Sequence, residues 1–222
     1  METLLFDEPL VIDEGALEQR ANEEILIDER IRLLAQENRL GLCRGATKRE
    51  LFDRRTKAIL DLPFRAIAHA HPECRFHWVR LTIDFSSTTD AIVRDLSPRE
   101  VLGSEPVKIT TKHTSGLSFE VEQVKLSPQL NFEKSMEYQI YFPEITSSGA
   151  GFSSVQWNFQ ALGDKELHVD RELRILISFP ASVKKLEANF SLRSRISVKG
   201  WAGFIPMIGR KRTLVESFEH ID

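Results

Sequence analysis

Between Leu186 and Lys199, apolar and polar residues alternate with a period of two. Leu186, Ala188, Phe190, Leu192, Ile196 and Val198 fall on one side; Glu187, Asn189, Ser191, Arg193, Arg195, Ser197 and Lys199 fall on the other. Successive side chains of a strand point to opposite faces, so this spacing predicts a long strand buried on one side only. Leu173, Ile175, Ile177 and Phe179 repeat the pattern just upstream, and Pro180 to Lys185 supplies the connection. Two strands alone are not stable in water, so others must cover their apolar face.

The chain supplies those others. Phe76, Trp78 and the Val79–Phe85 run predict a strand, Ile92 to Leu96 a shorter one, and Val107 to Lys112 another. Thr114, Ser115 and Gly116 read as a hairpin turn into a strand from Leu117 to Leu126, with a phase slip at Val124 that a bulge would make. Met136, Tyr138, Ile140 and Phe142 form one face, and Val155, Trp157, Phe159 and Ala161 the next. Ser147 to Gly151 reads as a loop, Leu162 to Lys165 as a turn, and Thr213 to Phe218 as a last edge strand. No helix-length pattern separates these strands, as parallel crossovers would require. The expected fold is therefore mostly β: an antiparallel β-sandwich over residues 73–222.

The first third has a different rhythm. Residues 1–13 are acidic and apolar by turns, and predict an extended acidic arm. Leu17, Ala21, Ile27, Ile31 and Leu34 recur every three to four residues, as an amphipathic helix does. Thr47 to Glu50 matches a capping box, predicting a second helix that ends before Pro63. Residues 14–62 thus read as a helical hairpin or arm, with Leu17, Ile27, Ile31 and Leu34 as its contact face toward another protein or a second copy of the chain.

Charge sharpens this division. Residues 1–29 carry ten acids against Arg20, whereas residues 30–57 carry nine bases against three acids and residues 184–212 eight bases against Glu187. Such segregation makes solvated faces or complementary surfaces. The net charge of −3 and the few aromatics at strand-face spacing disfavour nucleic acid as a partner. Two cysteines, Cys43 and Cys74, do not make a disulfide scaffold, and the acidic start is unlike a secretory signal, so the expected compartment is cytoplasmic.

Candidate chemistry is sparse. His69, His71, Cys74 and His77 lie within nine positions; imidazole and thiolate are the donors zinc prefers, so His71, Cys74 and His77 form the candidate metal set of a metal-dependent enzyme. No nucleophile elbow is present, Gly149 to Gly151 lacks the lysine and the context of a phosphate cradle, and no catalytic residue is assigned. No other cofactor is expected. The most distinctive stretch is Gly200 to Arg212. Trp201, Phe204, Ile205, Met207 and Ile208 are apolar, Arg210, Lys211 and Arg212 follow, and Arg193 and Arg195 sit on the polar face of the preceding strand. Glycine and proline break regular structure there, which predicts a loop suited to a protein partner or to an anionic membrane. The leading expectation is a non-catalytic interaction or assembly module. A membrane-acting effector docking through 200–212 is the alternative, and a metal enzyme at 69–77 the second alternative.

Overall fold

The computed structural model describes residues 2–18, 27–104, 106–114, 116–121, 135–162, 167, 169–201 and 203–218. The chain begins with β1 (Thr3–Pro9), β2 (Val11–Ile12), α1 (Glu14–Glu18) and α2 (Glu29–Gln36). Strands β3 (Arg39–Arg44), β4 (Lys48–Phe52), β5 (Lys57–His69), β6 (Cys74–Asp84), β7 (Ile92–Ser97) and β8 (Glu100–Leu102) follow. Then come β9 (Val107–Thr114), β10 (Gly116–Val121), β11 (Ser135–Ile140), β12 (Pro143–Ser148) and β13 (Ser154–Gln160). The chain closes with β14 (Asp170–Pro180), β15 (Lys185–Val198), β16 (Ile205–Ile208) and β17 (Arg212–Ser217).

These strands make an antiparallel sandwich. One sheet runs β1-β3-β5-β14-β7, with β4 on β5; the other runs β2-β16-β15-β6-β13-β12-β8, with β17 on β15. Strands β10, β9 and β11 form a separate three-stranded sheet in that order. The expected alternation of β15 is observed: Leu186, Ala188, Phe190, Leu192, Ile196 and Val198 are buried, and Arg193 and Arg195 are exposed. Phe190 joins the two layers. Its ring meets Phe6 of β1 edge-on at 5.7 Å and Phe64 of β5 at 5.9 Å. Trp157, Phe76, Phe85, Phe159 and Phe179 are the largest wholly buried side chains of the interior among the described residues.

The helical segment expected over 14–62 is corrected. Helix occupies only Glu14–Glu18 and Glu29–Gln36 among the described residues, and strands begin at Thr3, so the sandwich draws on the chain well before residue 73. The apparent capping box at Thr47 opens a strand instead, and the Thr47 hydroxyl donates to Glu216. Ala58, Leu60, Leu62, Phe64 and Ala66 are all buried, a period of two that overrides the local helix signal. Pro63 sits inside this central strand without cost to the ladder. Its carbonyl accepts from the Gly45 N–H (2.9 Å) at the gap between β3 and β4, so its ring nitrogen faces a place where no strand requires a donor.

The acidic arm is docked. Thr3–Pro9 pairs with Arg39–Arg44, and Val11 and Ile12 pair with β16. Asp7 accepts from Arg39, Glu8 from Arg212 and Glu2 lies 3.7 Å from Arg65. The Arg44–Glu216 and Arg212–Glu8 ion pairs tie β3 and β1 of the first sheet to β17 of the second. The phase slip expected at Val124, and most of the Leu162–Lys165 turn, lie outside the described residues.

Candidate functional site

Helix α2 closes one end of the sandwich. Asp28 caps its start by accepting from the Ile31 N–H (2.8 Å), and Ile31 and Ala35 are buried. At its other end the wholly buried Asn38 donates to the Leu34 and Ala35 carbonyls, while its Oδ1 accepts from the His71 N–H (3.0 Å). Ile27 and Leu34 pack on the core beside Ile31. Three of the four residues expected to contact a partner therefore face the chain's own interior; Leu17, on the short α1, is half-buried.

Asn38 also accounts for the histidine–cysteine cluster. His71 Nδ1 accepts from the Glu73 N–H (3.2 Å), and the buried Cys74 Sγ lies 3.5 Å from the Leu34 carbonyl. Burial pushes the Cys74 thiol up from its ordinary range. His77 points out of the opposite side of β6, where its Nε2 lies 2.8 Å from the Ser197 hydroxyl. Burial, and then the nearby Arg75 charge, hold its imidazole below the usual histidine value. The candidate zinc set His71, Cys74 and His77 is thus not brought together, because strand alternation divides Cys74 from His77. Among the described residues no three metal-ligating side chains converge.

The stretch 200–212 is divided in the same way, and the loop expected there is corrected to a strand over Ile205–Ile208. Pairing of β16 with β15 turns Ile205 and Met207 into the core, at 0% and 1% exposed, while Ile208 stays half-buried. Trp201 folds back over Gly203, whose φ of +124° suits glycine, and packs on the core's margin. Phe204 remains 44% exposed. Arg210 and Lys211 are exposed; Arg212 pairs with Glu8.

What the structure assembles around Phe204 is a groove of about 440 Å³ lined by His77, Trp78, Arg80, Gln160, Ala161, Arg195 and Phe204. It lies on the outer face of the second sheet. The Phe204 ring meets His77 edge-on at 4.6 Å, and the Arg80 and Arg195 guanidiniums lie 4.8 and 5.6 Å from the Trp78 ring. Register explains the grouping. Arg195 is directly opposite Trp78 and Trp78 opposite Gln160; in the next row Arg193 is opposite Arg80 and Arg80 opposite Asn158. Asn158 Oδ1 accepts from Arg80 Nε at 2.6 Å and fixes that side chain. Among the described residues no carboxylate pairs with Arg80, Arg193 or Arg195. Asp84, on the same face, lies four residues from Arg80 along β6 and accepts from Ser86.

A larger groove of about 870 Å³ lies over the first sheet near Asp61, Arg174, Asp170 and Lys48. Both aspartates are held by arginines: Arg174 donates to Asp61, and Arg65 donates two hydrogen bonds to Asp170. Sequence reasoning reached Arg193, Arg195 and Phe204 but missed Trp78, Arg80 and Asn158. The signal was two period-two pairs, Trp78/Arg80 and Arg193/Arg195, whose meeting depends on strand register.

No protein-family model matches the sequence. No curated protein matches it either. Among solved structures, the chain is similar to Clostridium perfringens delta-toxin at 10% identity, with a TM-score of 0.33, covering 81% of this chain and 91% of that one. It is likewise similar to the Clostridium perfringens NetB toxin in its membrane-inserted form, at 7% identity and a TM-score of 0.32, covering 80% and 88%. Neither likeness carries weight at these values.

Proposed function

We propose that this chain is a non-catalytic module that docks on anionic membrane surfaces through the outer face of its second sheet. One observation carries the reading: an indole and a phenyl ring share an open groove with guanidiniums that have no carboxylate partner among the described residues. Aromatic rings settle at the membrane interface, and arginines meet lipid phosphates. A cation near an anionic leaflet contributes about 1 kcal/mol, so Arg80, Arg193 and Arg195 together supply roughly 3 kcal/mol, on the order of a hundredfold in partitioning. No described helix is long and apolar enough to cross a membrane.

Flotation with neutral and anionic vesicles at two salt concentrations tests this. Binding to anionic vesicles alone, weakened by salt, is the expected result, because exposed charges are screened beyond about 10 Å at 0.1 M salt. Failure to float with anionic vesicles at low salt sinks the proposal.

A further inference from the structure

We infer that the Arg80–Arg193 pair, with Arg195 beside it, is a site for the phosphate monoester of a lipid head group. This rests on the docking reading above and narrows it to one kind of anion. The two arginines stand directly opposite each other on β6 and β15. Opposite residues of an antiparallel pair have Cβ atoms about 4.5–5.5 Å apart, and like charges placed so repel. No described carboxylate offsets that repulsion: the cross-strand neighbours in the row are Ile208 beyond Arg193 and the neutral Asn158 beyond Arg80. Asn158 occupies Arg80 Nε (2.6 Å) and lies 3.5 Å from the Thr146 hydroxyl, so a supported side chain aims the Arg80 fork, whose terminal nitrogens carry no hydrogen bond among the described residues.

An oxyanion seated between the two forks removes the repulsion, and its charge decides how well. A monoester carries roughly −1.5 to −2 charge at neutral pH and three strong acceptor oxygens, enough to answer two guanidiniums that each bind two oxygens in parallel. A diester head group carries a single charge on two terminal oxygens and answers one. Arg195, two residues along the same face and stacked near Trp78, closes the side of the site toward the aromatic groove.

The test compares vesicles of phosphatidylcholine doped with phosphatidic acid or with phosphatidylglycerol, matched in surface potential. The expected result is about tenfold tighter binding to the phosphatidic acid vesicles. Arg193→Gln should bring the two affinities within about threefold while the unfolding midpoint holds or rises, since the variant loses a cross-strand like-charge pair. Equal binding of the native chain to both vesicles overturns the inference and leaves membrane docking standing. Binding to neither overturns the docking reading, and the inference with it. Saturable binding of glycerol 3-phosphate in the absence of vesicles, with affinity equal to that for the doped membrane, assigns the site to a soluble phosphate ester and overturns the lipid assignment.

Discussion

Replacing Phe190 measures how the two sheets are held together. Its ring is 2% exposed and takes two edge-on contacts from the facing sheet, Phe6 at 5.7 Å and Phe64 at 5.9 Å. Phe190→Leu keeps most of the buried volume and loses both ring pairs, each worth about 0.5–1.5 kcal/mol, so it should cost about 1–3 kcal/mol. Phe190→Ala opens a cavity instead and should cost at least about 3–5 kcal/mol. A domain of this kind has only about 5–15 kcal/mol to lose, which makes the leucine variant the informative one. Urea unfolding followed by tryptophan fluorescence reads the difference, with Trp157, fully buried, as an internal reporter. A leucine variant within about 0.5 kcal/mol of the native chain, with alanine costing under about 2 kcal/mol, would refute the role given to this ring.

Other consequences follow from single groups. The Ser194 hydroxyl is buried without a partner among the described residues, so Ser194→Ala should raise stability by about 1 kcal/mol in the same urea assay; a loss of that size contradicts it. Hydrogen bonding from Arg174 holds the Asp61 carboxyl below the ordinary aspartate range. Its stabilising contribution is therefore complete above the unfolded value of about 3.9 and is lost as pH falls through the lower folded value. The stability gap between the native chain and Asp61→Asn should hold steady at neutral pH and close below about pH 4; a gap that widens on acidification has the wrong sign. Cys74 is buried and its thiol is pushed up, whereas Cys43 is half-buried. Iodoacetamide should thus label Cys43 first and Cys74 only in urea, as peptide mass mapping would show.

The second half of the sandwich was legible because its strands bury one face only. In β15 and β14 apolar residues alternate with polar ones over most of each strand, interrupted at Leu176, Ser178 and Ser194, and both strands run where the pattern places them. The first third misled for a physical reason. Thr47 and Glu50 satisfy a local helix-start pattern, and Pro63 forbids a central strand unless its nitrogen faces a gap, which only the break between β3 and β4 provides. Likewise, glycine and proline in 200–212 conceal a four-residue strand that β15 templates from outside. The candidate site was half legible. Arg193 and Arg195 stand out at period two, but Trp78 and Arg80 join them only through a register that includes a shift between Arg195 and Ile196. Sequence alone does not contain that register, since it is set by packing across strands distant in the chain.

The docking face is tested most directly by where Trp78 goes. Native chain is mixed with anionic vesicles whose acyl chains carry bromine, and tryptophan quenching is compared with that of Trp78→Phe. Seating of the groove on the bilayer predicts quenching of the native chain and its loss in the variant, with vesicle binding weakened in step. Vesicle binding that persists with Trp78 unquenched would place the contact on another surface and contradict the account.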